Sequence, residues 1–519
     1  MNDWLYAYLL PAWVAMPLIG ALFVAVMPHT DRMTLRHTGL GISILTGLAG
    51  LVAVWNVLEG DGVAPHRWFW GSGTSNIVFY VARADLPVLL GIGVLVPVCL
   101  RGGAPRIAER TQGYVALVLI TEALSLAAVL TKTVVFQLLL LNLTALPLLL
   151  LIAIFGGPLR GSATMRIAVV WLVADFLAIS AATWLAASAG RTLFATMQEL
   201  ISASTDLDND AALSAFIALA CAGWVRLAIV PFASWLVPLF DEAPVSAASL
   251  AVATTFPLGA LTLHRACELL PEGAGNALWF GLLAATLSAL LAGAVALVER
   301  DLRRLIASAV SFHGALGALG LLVADSMSVI EAMVYLPAMA AGSVWALFVV
   351  EAIERRYFTR DSVDLLGLSR DLPGLWRLSA AAFISMVGIP TLAGGSLLVR
   401  ILTSVANTPQ LSASGTFSNA LFWCVALVCI GWVGVASGTI IVLKRLASPS
   451  PRQAARSPTP LTLGQAMRLW IPALWVFAVG VSAPWWAQKL ALSSSQMTPL
   501  QPQPASQSEA SSASTEAMP

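Results

Sequence analysis

Charge is what this sequence has least of. Only 11% of its 519 residues are Asp, Glu, Lys or Arg, against roughly 25% in a soluble chain. That scarcity excludes a water-soluble globular protein and leaves no basic surface on which to bind nucleic acid. Cysteine is also sparse. The five residues (Cys99, Cys221, Cys267, Cys424 and Cys429) are scattered without a C-x-x-C pair, which argues against a metal site or a disulfide framework. No histidine pair stands at haem spacing, and no Gly-rich phosphate loop follows a strand. The chain is therefore expected to hold no cofactor and no catalytic or metal-ligating residue. Any electron chemistry it serves belongs to partner subunits.

What is present is apolar, at 58% of residues. Fourteen apolar segments, at 6–27, 38–58, 77–100, 114–131, 133–155, 167–188, 211–239, 245–263, 277–298, 305–323, 329–352, 378–402, 418–442 and 469–488, are each about long enough to cross a hydrocarbon core. Their length and lack of in–out alternation indicate helices, not a barrel. The first reads as a retained helix, not a signal peptide. Twenty Lys/Arg residues fall in one set of loops and six in the other, and Arg226 and Arg400 lie within spans. By the positive-inside rule the richer side is cytoplasmic and both termini lie outside. The expected location is a bacterial inner membrane, with the chain in contact with the lipid bilayer.

Two spans are interrupted. The seventh breaks at "VPFASWLVP" and the twelfth at Pro390 and Gly394–Gly395, and each has one arginine nearby, Arg226 or Arg400. Paired Gly/Pro interruptions are a sequence pointer to an inverted-repeat transporter, although prolines are common in membrane helices generally. The expected fold is an all-α polytopic membrane protein of about 14 transmembrane helices, with two inverted five-helix repeats and broken helices 7 and 12. Its parts are a three-helix segment (1–113), a first repeat of helices 4–8 (114–263), a second of helices 9–13 (277–442), a Pro/Ser linker (443–468), a last helix (469–490) and a disordered tail (491–519).

Four stretches resemble one known family. "VPFASWLVPLFDEAP" is similar to the broken-helix signature of the antiporter-like membrane subunits of NADH–quinone oxidoreductase (complex I, chain M/L type) and of Mrp-type cation/proton antiporters. "LVERDLRRLIASAVSFHGALGALGL" (297–321), "ERRYFTRDSVDLLGLSRDLP" (354–373) and "LPLLLLIAIFGGP" (146–158) agree in order and spacing. "VADFL" (173–177) leans toward chain L and toward the membrane subunit of inorganic-carbon pumps.

The resemblance implies a midplane chain of titratable side chains that passes protons. The family's helix-4 acid is matched by Glu122. Its helix-5 glutamate falls on Asn142 and its helix-7 lysine on Arg226. The helix-8 lysine or histidine falls on the apolar stretch around Pro257, the helix-11 lysine near Gly342, and the helix-12 charge near Leu398. Asparagine does not titrate and arginine keeps its proton in a protein, so several family proton-path residues are lost. The remaining ion-path candidates are Glu122, Asp175, Arg226, His313 and Arg400. Arg226 is expected to pair with Glu122, Asp175 to serve as a hydrogen-bonder at a helix crossing, and Glu331 and Glu351 to snorkel from helix ends.

Three functions are compatible with these residues. One is an antiporter-like subunit of a complex I-type NADH–quinone oxidoreductase or related ion-translocating complex, with other membrane and peripheral subunits as partners. Another is the membrane subunit of an energy-coupled bicarbonate/CO2 uptake complex with a soluble zinc protein. A third is a non-conducting scaffold that keeps the fold without the proton path.

Overall fold

The computed structural model describes residues 3–27, 31–59, 66–70, 75–101, 110–205, 207–322, 326–388, 398–400, 402–403 and 415–449, and single positions between 469 and 485. Among them, eleven helices are long and apolar enough to cross a membrane, and each coincides with one of the fourteen expected spans. The seventh span falls outside that number because its helix ends early. The twelfth is described as Pro373–Val387, with its expected break at Pro390 and Gly394–Gly395 outside the described residues. Most of the fourteenth span also lies outside them.

Burial sorts the spans into an interior and a rim. The eighth span (Val245–Leu269) is buried along its whole apolar window, and the tenth (Leu302–Leu322) and eleventh (Val329–Tyr357) along 94% of theirs. The first two spans are buried along only 33% and the sixth (Arg160–Ser188) along 39%. The rim exposes large side chains such as Leu22, Phe176 and Leu283. In water that much open apolar surface would drive association; in a bilayer it is the face that lipid covers.

The seventh span shows why a broken helix survives at membrane depth. Its first part, Asn209–Arg226, ends in a tight turn in which Ala228 takes φ of +52°. Pro231 follows and has no N–H to continue a helix. The chain resumes as a 3-10 turn, Phe232–Trp235, and a short helix, Leu236–Glu242. Backbone groups freed inside a membrane must find partners in the protein, and here they do. The Val230 N–H donates to Ser288 Oγ at 2.7 Å, and the Ala228 carbonyl accepts from Ser311 Oγ at 2.9 Å. The Trp235 indole N–H donates to the Val225 carbonyl at 2.7 Å. Ser288 and Ser311 belong to the ninth and tenth spans, so the second half of the chain holds the break in the first.

One element departs from the all-α expectation. Between the second and third spans, His66–Trp70 (β1) and Ser75–Phe79 (β2) pair as an antiparallel hairpin, with His66 opposite Phe79 and Trp70 opposite Ser75. β2 continues into the end of the fourth span: Tyr80 N–H donates to the Leu130 carbonyl and Lys132 N–H to the Val78 carbonyl, both at 2.8 Å. The third span consequently starts at Leu86 and not at 77.

Candidate functional site

The fifth, sixth and seventh spans converge on one buried charge pair. Arg226 sits in the last turn of the Asn209–Arg226 helix, one residue before the break. Its Nη1 donates to Asp175 Oδ1 at 2.6 Å and its Nη2 to Asp175 Oδ2 at 2.9 Å. Both side chains are about 1% exposed. The planar fork of a guanidinium matches two carboxylate oxygens in this way, whereas an ammonium cannot. The second N–H on each Nη is also used, Nη1 to the Ala222 carbonyl and Nη2 to the Leu141 carbonyl, each at 3.2 Å. Asn142 completes the set by donating Nδ2–H to Asp175 Oδ2 at 3.3 Å.

The walls of the site fix this geometry. The Arg226 Cζ lies 5.9 Å from the centre of the Trp171 ring, one turn before Asp175 on the sixth span. Trp171 in turn stands edge-on to Trp235, with ring centres 5.0 Å apart. From the eighth span Gly259 backs the arginine stem: a β-carbon at that position would stand 2.8 Å from Arg226 Cβ. A buried ion pair is tolerable only when its geometry is good and its spare donors are satisfied; here the geometry is two-pronged and all four Nη donors are engaged.

This arrangement corrects the expected pairing of Arg226 with Glu122. The counter-ion is Asp175, which lies directly across the sixth–seventh span contact. It is a full ion-pair partner and more than a crossing hydrogen-bonder. Glu122 is fully buried on the fourth span beside Ser43 of the second, and neither of its carboxylate oxygens has a hydrogen-bond partner among the described residues. The structure thus brings Asp175, Arg226 and Asn142 together and leaves Glu122 separate.

The other expected positions lie in the second half. His313 of the tenth span is buried between Tyr335 of the eleventh and Met386 of the twelfth. Its Nε2 meets the Met386 carbonyl and its Nδ1 the Tyr335 hydroxyl, both at 2.5 Å. A carbonyl only accepts, so Nε2 carries the proton and Nδ1 accepts from the phenol. Arg400 is half-exposed and lies 3.7 Å from Glu331. Glu331 is only 4% exposed, so it does not snorkel; it is held inside by that charge. Glu351 pairs with Arg355 one turn along the same helix, at 2.6 Å. Pro257 lies inside a continuous buried helix, Gly342 faces Ser385 and Leu398 is buried.

Two charged clusters went unnoticed in the sequence. At one end of the first half, Asp85 bonds Lys132 at 2.5 Å and Arg265 at 3.0 Å. Arg265 also caps the end of the fourth span through the Val129 and Thr131 carbonyls, at 2.6 and 3.0 Å. On the opposite side, Asp241 bonds Arg304 at 2.7 Å and Arg360 at 2.9 Å, and Arg360 also pairs with Asp301. Arg303 binds Glu354 and the Phe240 and Ala243 carbonyls. The Glu242 carbonyl accepts from the Gly157 N–H at 2.8 Å, and its carboxylate from the Leu159 N–H at 2.9 Å. Burial pushes the Asp301 carboxyl up from its usual range, against the pull of Arg360. These contacts join 146–158, 230–244, 297–321 and 354–373, the four stretches that carry the family resemblance, into one junction between the two halves. A run of acidic and basic residues at span ends was the available signal; which would meet depended on the fold.

Residues 132–422 match the family described as NADH:quinone oxidoreductase/Mrp antiporter, TM, more than half of the chain. The chain belongs to this family. NADH-quinone oxidoreductase subunit 13 of Thermus thermophilus is 26% identical over 414 residues, which cover 77% of this chain and 83% of that relative. NAD(P)H-quinone oxidoreductase chain 4 3 of Trichormus variabilis is 22% identical over 448 residues, covering 84% and 80%. The fold is shared with a chain of respiratory complex I from Thermus thermophilus with bound NADH (TM-score 0.80, 20% identity, 93% of this chain and 97% of that one). It is shared equally with a chain of the Mrp complex from Dietzia sp. DQ12-45-1b (TM-score 0.77, 18% identity, 94% and 97%).

Proposed function

We propose that this chain is an antiporter-like membrane subunit of a complex I-type or Mrp-type ion-translocating complex in which the proton route of the first half is closed at Arg226. It works with other membrane and peripheral subunits, in a bacterial inner membrane with both termini outside. Helices 4–8 and 9–13 form the two inverted repeats. The observation that carries this reading is the bidentate, fully buried Asp175–Arg226 pair beside the break. A relay needs a group that gains and releases a proton at accessible cost. An arginine does not release one, and the aspartate that faces it is held as its counter-ion. Glu122 keeps a carboxyl with no counter-ion among the described residues, but the next position of the path is filled by a fixed charge.

The test is proton flux into vesicles reconstituted with the chain, with and without Glu122→Gln. Little flux, unchanged by the substitution, is expected. Rapid Glu122-dependent flux would overturn the closed route. Mass spectrometry of the complex isolated in mild detergent tests membership separately: quinone-oxidoreductase or antiporter subunits are expected. A single soluble zinc protein in their place would move the chain to carbon uptake.

A further inference from the structure

Away from the charge pair, a groove of about 400 Å³ opens between the second, third and eleventh spans, within the range of roughly 300–1,000 Å³ usual for small-molecule sites. Its floor is a close helix crossing. Gly47 and Gly93 face one another, and a β-carbon on Gly47 would stand 2.5 Å from the Gly93 carbonyl oxygen. Leu48, Leu51 and Val94 help to form apolar walls. At one end, among the described residues, the groove is lined by Arg101, Arg355 and Arg356 and by one carboxylate, Glu351, which Arg355 engages at 2.6 Å; Arg356 also donates to the Ala352 carbonyl at 2.8 Å. That end carries net positive charge. It lies at the ends of the third and eleventh spans, the same side as the basic loops and the Asp241 junction.

We propose that this groove binds an anionic phospholipid of the cytoplasmic leaflet, with the headgroup at Arg101, Arg355 and Arg356 and an acyl chain along Leu48, Leu51 and Val94. Charge complementarity selects this occupant. Guanidinium groups bind phosphate through charge-assisted, often bidentate hydrogen bonds, basic pockets between spans on the cytoplasmic side suit anionic headgroups, and the aliphatic walls running into the bilayer match a hydrocarbon tail. A neighbouring subunit's helix would bring carboxylates or other polar groups to the same mouth, and is an outcome of the test.

The full chain, purified in mild detergent, is equilibrated with equal amounts of phosphatidylglycerol and phosphatidylcholine bearing identical acyl chains. Retained lipid is counted by native mass spectrometry. The wild-type chain is expected to retain phosphatidylglycerol at least tenfold over phosphatidylcholine. Arg101→Gln with Arg356→Gln should bring that ratio toward parity, at about fivefold per arginine. Leu48→Trp, which fills the groove, should lower retention of both lipids while leaving the ratio of what remains. Equal retention of the two lipids by the wild-type chain overturns the proposal, as does undiminished preference in the two-arginine variant. Retention of neither lipid, with a partner subunit's helix protected at the groove in the isolated complex, overturns it in favour of a protein interface.

Discussion

Arg226 and Asp175 face each other across the sixth–seventh span contact as a two-pronged pair, at 2.6 and 2.9 Å, and neither reaches water. Removing one member leaves an uncompensated charge in a low-dielectric interior, which costs about 3–5 kcal/mol. Arg226→Ala and Asp175→Ala should each lower the thermal unfolding temperature sharply in detergent. Replacing both with apolar residues of similar volume, Arg226→Met with Asp175→Leu, should recover most of the loss. If the two single substitutions are additive in the double variant, the pair does not act as a unit.

The position of the acid is transferable. Asn142 Nδ2 lies 3.3 Å from Asp175 Oδ2, so a carboxylate at 142 comes within reach of the same guanidinium. Asn142→Asp should therefore rescue Asp175→Asn, restoring at least half of the lost stability as read by thermal melting. No rescue would mean that Arg226 cannot turn toward the fifth span.

Lys132 gives a pH signature. Burial, with the Arg265 guanidinium behind it, brings its ammonium down from 10.5 to about 8, against the pull of Asp85. Between these two values the unfolded chain holds a proton that the folded chain has released, so stability rises with pH across that window. The gain is at most about 3 kcal/mol, complete above the unfolded value and absent below about 8. Lys132→Met should flatten this rise when melting is compared with wild type from pH 7.5 to 10.5. A parallel pair of curves would contradict the assignment.

Asp241 holds Arg304 and Arg360 at the junction of the halves, where the two arginines are 45% and 29% exposed. Solvent screening limits each contact, so Asp241→Asn should cost about 1–2 kcal/mol. The effect should be larger at low salt than at high salt. Protease cleavage within 354–373 should rise in parallel, because that loop loses its anchor to the seventh span.

Span existence was legible because length, apolarity and the asymmetry of Lys/Arg are local properties that the bilayer enforces one segment at a time. The break in the seventh span was legible for a similar reason, since Pro231 removes a donor wherever it stands. Side-chain partners were not legible in this way. Glu122 and Asp175 are both intramembrane acids in the sequence, and which one Arg226 meets depends on helix packing, here with Trp171 against Trp235 and Gly259 against the arginine stem. The β1–β2 hairpin carried a readable sign in its aromatic run followed by Gly-Ser-Gly, but its second strand was absorbed into the expected third span. Asp85, Lys132 and Arg265 are separated by up to 180 positions along the chain, and no periodicity links them.

The serine contacts at the break also bear on how the protein is made. The Val230 N–H and Ala228 carbonyl find their partners 58 and 83 residues downstream, at Ser288 and Ser311. At a synthesis rate of about 5–20 residues per second, the seventh span waits for several seconds before the ninth and tenth emerge. During that interval its open backbone cannot be released into lipid without several kcal/mol of unsatisfied polar groups. The order of assembly is therefore set by the fold: the broken span can settle in lipid at low cost only once the second half has arrived to satisfy it.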